Sequence, residues 1–444
     1  LTLNTLSGKL CIKECGKIVG EYSEKDVNDV SSFIPKKFGK VAPLSIAEEE
    51  SERFSQWVTE NKDVFKIARK LENLNKNTGV HPSGIAISHQ EISEICPIQK
   101  TSEGKYVTGY DMNWVAELMV KFDILGLRTL SVIYDVCENL DIDIYDVDLS
   151  DPSIFTPLQS LENPHGLFQI EADTNFRVCQ KIKPRSMEEL SAVVAIARPG
   201  ALDFADKYAE YVRSGEFQSE HDFFNDVLDY TGGIPLYQEQ LMKMAVKVGF
   251  TLDESEQLRR IVGKKKVDQM PAWQKKIRKK VTDNNLPPEV GDILWRVAED
   301  SANYSFNKSH AIAYSTLSAW TTYLKFNHPK EFFLSLLRMS QFEPNPQDEI
   351  SKISRELSYF DINLLQPNLI KSKVGFTIDK NNIRFGLNSI KGVSQKSLEA
   401  LAEFRDSKNS NKYDVFLSAK QAGLNIGVLS ALIQAGALSE DSTL

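Results

Sequence analysis

The alternation of apolar and charged residues that marks a strand is concentrated in one short stretch of this chain, about residues 79–126. Its clearest instance is Val120-Lys121-Phe122-Asp123-Ile124-Leu125, where Val120, Phe122 and Ile124 point one way and Lys121 and Asp123 the other. Gly126 ends that run, Lys105-Tyr106-Val107-Thr108 favours a second strand, and a short helix fits Asn113 to Met119. Gly79-Val80-His81-Pro82-Ser83-Gly84 breaks helix just before Ile85-Ala86-Ile87-Ser88, which reads as a short buried strand. Helix-periodic sequence lies on both sides of this stretch. The pattern predicts an α+β architecture, predominantly helical, with several domains.

Apolar residues between Leu10 and Val19 recur near helical spacing, and Gly20 is a stop. Ser45 precedes one long charged helix towards Leu74, with Phe54, Trp57, Val58, Phe65, Ile67, Ala68 and Leu71 as its apolar face. After Gly126 an amphipathic helix carries Leu127, Leu130, Tyr134, Cys137 and Leu140 on or near one face. Beyond residue 150 helices are punctuated at Asn163-Pro164-His165-Gly166 and at Asp283 to Pro288, and Glu343-Pro344-Asn345-Pro346 reads as a linker. Ile383 to Leu387 resembles a strand or turn.

A length of 444 residues suits two to four domains, and 41% hydrophobic with 26% charged residues excludes wholesale disorder. No apolar run is long enough to span a membrane. Five scattered Cys are no disulfide scaffold and fit a reducing compartment, hence the cytoplasm. The chain starts at Leu1, which implies a fragment or processed piece.

The net charge of −8 disfavours a simple nucleic-acid coat protein, but it hides its distribution. Ten basic residues against Asp268 give Arg259 to Lys280 a local +9, leaving −17 elsewhere. They include Arg259, Arg260, Lys264, Lys265 and Lys266. This is either a solvated charged face or a phosphate-binding wall in which arginine pairs grip oxygens bidentately. Thr251 with Glu254 forms a capping box for the helix leading into it, and Gly263 is its stop.

Three further constellations stand out. Asn307, His310 and Tyr314 at offsets 0, 3 and 7 share a helix face. That face is a satisfied polar stripe or a stacking surface for a base or sugar. Asp123 on a central strand is a magnesium ligand or the plain ion-pair partner of Lys121; one carboxylate cannot build a two-metal centre. Asp141 and Asp143 look like the missing pair, but Asp146, Asp148 and Asp151 make that stretch an acidic surface loop. Finally, Leu387 to Leu398, through Lys391, Gly392, Val393 and Ser394, has the shape of a helix-hairpin-helix, whose turn offers backbone N–H groups to a phosphate.

Taken in order, these segments resemble the alpha subunit of bacterial replicative DNA polymerase III, the C-family polymerases. The resemblance is carried by Gly79 to Ile85, Val107 to Met112, Lys121 to Leu130, Gly166 to Glu171 and Ala197-Arg198-Pro199-Gly200. It continues in Tyr237-Gln238-Glu239-Gln240, Leu258 to Lys266 and Phe306 to Tyr314. It implies a helical thumb over residues 1–78, a second palm segment over 79–128, fingers over 129–380 and a tandem helix-hairpin-helix over 381–444.

The resemblance also implies roles. Asp123 corresponds to a catalytic, metal-binding carboxylate and Lys121 to a nearby active-site lysine. Arg259, Arg260, Asn307, Lys308, His310 and Tyr314 would meet the incoming nucleotide. Lys264, Lys265, Lys266, Lys391, Gly392, Val393 and Ser394 would contact DNA. The implied reaction is two-metal nucleotidyl transfer with Mg2+. The implied partners are primer-template DNA, a dNTP, a sliding clamp and a complementing segment. The last follows because the family's Pro-Asp-x-Asp-x-Asp motif, source of two catalytic carboxylates, does not occur here. The chain alone is therefore expected to be inactive. The alternative is a non-catalytic DNA-binding module derived from such a polymerase. After Glu171 this chain has Ala172-Asp173-Thr174-Asn175 where the family has Ser-x-Gly-Met.

Overall fold

The computed structural model describes the chain except residues 38–39, 264–268, 370, 395–396, 398–399, 401–411 and 438–444. It is a predominantly helical α+β protein with small separate sheets, and it divides into two compact units, residues 1–126 and 127–444.

In the first unit, helices Gly8–Ile18 and Glu24–Ser32 begin at Ser7 and Ser23, whose hydroxyls accept backbone N–H groups. Ser23 and Asp26 complete a reciprocal capping box. The single long helix expected from Ser45 is three: Leu44–Glu50, Glu52–Glu60 and Lys62–Leu71. The hydroxyl of Ser51 accepts the Phe54 N–H and starts a new helix, and Asn61 breaks the next junction. The chain can therefore fold back and bury Phe54, Val58, Phe65 and Ala68 against Ile12, Cys15 and Leu44, whereas Ile67 and Leu71 stay exposed.

Strand Gly84–Ile87 pairs antiparallel with Val120–Asp123, placing Ile85 opposite Phe122, Ile87 opposite Val120 and Gly84 opposite Asp123. Asp123 thus lies on one of two strands, not on the central strand of a larger sheet. The strand at Ile85 is not buried either. Ile85, Ile87, Val120 and Phe122 share one face and are 48–56% exposed, with Ile124 and Leu125 also exposed beside them. A second hairpin pairs Ile98–Lys100 with Tyr106–Thr108.

The second unit is built on helix Met187–Ile196, in which every residue from Leu190 to Ile196 is buried. It packs on helix Lys308–Asn327, and the hydroxyls of Ser191 and Ser315 meet at 2.7 Å inside that contact. Helices Gln238–Val248, Leu252–Gly263, Met270–Asp283 and Pro288–Tyr304 enclose another core around Met244, Leu258, Ile277 and Leu294.

Helix Arg128–Leu140 buries Val132, Ile133, Val136 and Cys137 against Leu317, Trp320, Leu324 and Phe332. Its expected face is therefore only partly the packed one, and Leu130 and Tyr134 face solvent. The break at Glu343 to Pro346 is present, but as a bend of only three residues, 343–345, between two packed helical segments. Pro346 opens helix Pro346–Leu357, which buries Ile350, Ile353 and Leu357 beside Phe333 and Leu337. Asn382–Arg384 lies between Thr377–Asp379 and Leu364–Leu365 in a three-stranded sheet.

Candidate functional site

Two constellations emerge, one in each unit. In the first unit, Lys121 and Asp123 are two residues apart on one strand, so they share a face, and Gly126 is the next glycine. Lys121 Nζ donates to both carboxylate oxygens of Asp123, at 2.6 and 2.9 Å. That hydrogen bond holds the Asp123 pKa below its ordinary value, with the charge of His81 a smaller contribution. His81 Nδ1 lies 3.9 Å from Asp123, but it accepts the Gly84 N–H at 2.7 Å, which fixes the ring at the foot of the strand pair.

Asp123 is thus an ionised carboxylate with a cation already beside it. A magnesium ion requires about six oxygens around it. Among the described residues no group of three or more His, Cys, Asp or Glu converges to supply them. The residues present do not by themselves fit a magnesium centre. Asp141 and Asp143 do not fill the gap. Asp141 ends a helix in the left-handed conformation, and the Asp143 carboxylate accepts the Tyr145 N–H at 2.9 Å. Asp148 and Asp151 likewise accept backbone N–H groups of Ser150 and Ser153. The acidic series is a row of turn and helix caps.

In the second unit the two finger-type groups anticipated from sequence meet through a third. Helix Leu252–Gly263 starts with the expected box: Thr251 N donates to Glu254 Oε2 at 2.9 Å and Glu254 N donates to Thr251 Oγ1 at 3.2 Å. One turn later Arg259 donates through Nε and Nη2 to the two oxygens of Glu256, at 2.7 and 2.6 Å. Its Nη1 donates to Gln238 Oε1 at 3.1 Å, and Arg260 Nε also reaches Glu256 at 2.7 Å. The two guanidiniums hold the Glu256 carboxyl down at about 2, with Arg259 the larger cause.

Gln238 leads to the other group. Its N–H donates to Phe306 O at 2.8 Å, and Phe306 N–H donates to Leu236 O, a short parallel bridge. Asn307 is the cap of helix Lys308–Asn327, not a member of it, and accepts the His310 N–H at 2.8 Å. The adjacent Glu239 accepts from Asn307 Nδ2 and from Lys308 N, each at 2.9 Å. Lys308 Nζ turns away to Glu188 at 2.6 Å and lies 4.2 Å over the Tyr230 ring. Residues 238 and 239 therefore join Arg259 to Asn307 and Lys308.

Along the same helix runs a stack of rings. His310 stacks on Tyr314 with centroids 4.1 Å apart. Phe306 meets His310 edge-on at 5.2 Å, and Phe168 meets Tyr314 at 5.3 Å. Arg198 lies 4.2 Å over Phe306, its Nη1 without a hydrogen-bond partner among the described residues, and burial lowers its pKa. Gln238, Glu239, Glu256, Phe168 and Phe306 were not singled out as site residues by sequence; the only signal was that Gln238, Glu239, Phe168 and Phe306 fall in the recognised segments.

The basic window is less free than its count. Lys276 and Lys280 lie 3.0 and 3.5 Å from Glu254, and both sit over Phe250. Lys275, Arg278 and Lys279 are exposed. Lys264, Lys265 and Lys266 lie outside the described residues.

Near the C-terminus, Gly392 has φ +98° at the turn, with Lys391 and Ser394 exposed. The Val393 side chain is buried among Leu387, Ile390, Leu424 and Leu432, and its N–H donates to Ile390 O. It supports the turn from inside and offers no side chain to a ligand. A second hairpin joins helices Lys412–Gln421 and Ile426–Gln434 through Gly423, φ +72°, with Asn425 capping the second helix.

Residues 1–126 match the family described as the bacterial DNA polymerase III alpha NTPase domain, and residues 129–285 the finger domain of the same subunit. Residues 361–442 match a helix-hairpin-helix motif. The chain is 32% identical to DNA polymerase III subunit alpha of Thermus aquaticus over 463 residues, covering 98% of this chain and 37% of that protein. Against the Aquifex aeolicus subunit the figures are 35% identity, 85% and 33%. Against that of Escherichia coli K12 they are 30%, 98% and 39%. The chain thus spans between a third and two fifths of the length of these relatives.

Proposed function

The chain belongs to the bacterial DNA polymerase III alpha subunit family, and from that premise we propose that it contributes to template-directed DNA synthesis as the nucleotide- and DNA-holding part of the enzyme. The observation that carries this reading is the junction at Gln238 and Glu239, which sets the paired arginines beside the capped helix and its ring stack. Arg259 and Arg260 suit a triphosphate, because each guanidinium keeps further N–H donors for phosphate oxygens. His310 and Tyr314 offer a ring face to a base or sugar. The helix-hairpin-helix region, with Lys391, Gly392 and Ser394 at its turn, suits DNA phosphates.

The reaction is transfer of a nucleotidyl group: the primer 3′-hydroxyl attacks the α-phosphate of a dNTP and pyrophosphate leaves. Asp123 is one carboxylate of the reacting centre and Lys121 keeps it ionised and aimed. Magnesium would supply charge neutralisation on the phosphate oxygens when bound. Its remaining carboxylate ligands come, in this reading, from a complementing segment that carries the paired aspartates. The apolar face of Ile85, Ile87, Val120 and Phe122 supports such a segment, because a two-stranded sheet with one side bare is marginal alone. A sliding clamp is a further partner of the assembled enzyme.

The test is primer extension in a mixture of this chain and a polypeptide bearing the paired aspartates. Extension should require both and should vanish with Asp123→Asn. Full activity of that variant overturns the assignment. A second reading, a non-catalytic DNA-binding module, is favoured by the single carboxylate. It predicts salt-sensitive DNA binding and no extension in any mixture.

A further inference from the structure

Helix Lys308–Asn327 carries, beyond its ring stack, three polar residues at positions 318, 321 and 325, the spacing of one helix face. All three are buried, and all three grip the same irregular loop. Ser318 Oγ donates to Phe168 O at 2.8 Å. Phe168 N–H donates to Thr321 Oγ1 at 3.1 Å. Lys325 Nζ donates to Asn163 O at 2.6 Å, to His165 O at 2.7 Å and to the Glu356 carboxylate.

Lys325 has 0% exposure and lies among the rings of Phe326, Phe333 and Phe360. A lysine is rarely buried so fully unless each of its three donors is used, and here each is. The loop it holds is irregular and has only short-range turn bonds of its own, Leu167 N–H to Pro164 O and Ile170 N–H to Leu167 O. Gly166 has φ +76°, Gln169 has φ +62°, and the segment from Asn163 to Ile170 forms no helix or strand. What the loop presents is Phe168, whose ring closes the stack on Tyr314.

We propose that Lys325 is a positioning residue for the nucleotide site: by clamping Asn163 and His165 against Glu356 it fixes Phe168 on Tyr314, so that the stack on His310 is preformed. This rests on the reading that His310 and Tyr314 meet the nucleotide. Lys325 touches no ligand and acts through the loop.

The test compares the full chain with the double variant Lys325→Met, Glu356→Leu. Replacing both partners by apolar residues avoids leaving a buried carboxylate without its cation. Three readouts are taken: hydrogen exchange at the Phe168 amide, equilibrium binding of dATP, and binding of duplex DNA. The expected result is faster exchange at Phe168 and dATP binding weaker by roughly tenfold, the order of loss that small misplacements in a preorganised site produce. Duplex DNA binding should change by less than about twofold, since additive behaviour is expected of sites with no shared partners.

Unchanged dATP affinity with faster exchange overturns the proposal, and so does unchanged exchange. Equal losses for dATP and duplex DNA also overturn it, because they mark a general structural role. A chain that binds no dATP, with Arg259→Ala indistinguishable from it, sinks the nucleotide reading itself and this inference with it. That pattern is distinct from a binding parent and an unaffected variant.

Discussion

Glu254 serves two structures at once, and removing it gives a number. Its Oε2 accepts the Thr251 N–H that begins helix Leu252–Gly263, and its two oxygens take Lys276 and Lys280 from helix Met270–Asp283. The backbone hydrogen bond from Thr251 is the largest cause, and Lys276 the next, of a carboxyl pKa pulled from 4.5 to about 2. Taken at face value, that gap is worth about 3 kcal/mol. The groups are partly exposed, so solvent screens most of it. A capping contact contributes about 1 kcal/mol and each screened ion pair a few tenths. Glu254→Ala should therefore cost about 1.5 kcal/mol, and Glu254→Gln, which keeps an acceptor for Thr251, about 0.5–1 kcal/mol. A carboxyl whose folded pKa is depressed stabilises fully above its unfolded value and loses that contribution as pH falls. The gap between wild type and Glu254→Ala should be full above pH 4.5 and narrow, as pH drops through about 2, to the gap between Glu254→Gln and Glu254→Ala, since the protonated carboxyl still accepts the Thr251 N–H. Urea unfolding followed by 19F NMR of 5-fluorotryptophan at Trp273, which stacks near Phe250 between these helices, reads the local transition. Equal stability at pH 7, or a gap that does not narrow at the acid end, refutes the reasoning. So does a Glu254–Lys276 coupling well above about 1 kcal/mol in a double-mutant cycle.

Replacing Arg259 and Arg260 with Ala should weaken dATP binding by about tenfold or more while duplex DNA binding falls little, since a bidentate guanidinium contact to phosphate is lost only from the former; equal losses count against the triphosphate role. Ile85→Ser with Phe122→Ser should leave the unfolding free energy of the isolated chain in urea within about 0.5 kcal/mol, as substitutions of solvent-facing residues do. The same pair should abolish extension in the complemented mixture, and undiminished extension would remove the docking role of that face. Gly392→Ala forces a side chain into φ +98° with Ala431 Cβ 3.3 Å away. It should cost about 1 kcal/mol or more and lower duplex DNA affinity several-fold, leaving dATP binding unchanged; unaltered DNA binding would detach the hairpin from the DNA.

What the sequence made legible follows from range. The Thr251–Glu254 box and a strand beginning at Val120 rest on contacts within a few residues, and both are present, the strand ending at Asp123 rather than at Gly126. The stop read at Gly263 borders residues 264–268, which lie outside the described residues. The long helix from Ser45 failed because periodicity carries through a Ser or Asn junction, whereas the hydroxyl of Ser51 can as readily begin a helix as sit inside one. The face of helix Arg128–Leu140 was only partly placed: Leu127, Cys137 and Leu140 pack as read, but Leu130 and Tyr134 fit the period as well as the buried Val132 and Val136 do. Only the packing partners, Leu317, Trp320 and Phe332, decide between them, and they lie about two hundred residues away.

The charge window shows the same limit in another form. Counting Arg259 to Lys280 gave +9, but the two acids that matter, Glu254 and Glu256, sit just outside that window and reach into it by one helical turn or across a helix pair. Four of its cations are therefore already engaged, and the positive surface open to a ligand is narrower and better defined than the count implied. This sharpens the nucleotide reading. Arg259 is not a loose cation on a basic helix: Glu256 and Gln238 hold its guanidinium from two sides, leaving the remaining N–H groups in a fixed direction. Gln238 is in turn tied to Phe306, and Glu239 to the cap of the helix that carries His310 and Tyr314. In the proposed reading, a guanidinium and a ring stack so joined would meet the two ends of one nucleotide with less to order when the ligand arrives. No local pattern could have revealed that union, since its members are separated by 21 and 68 residues along the chain.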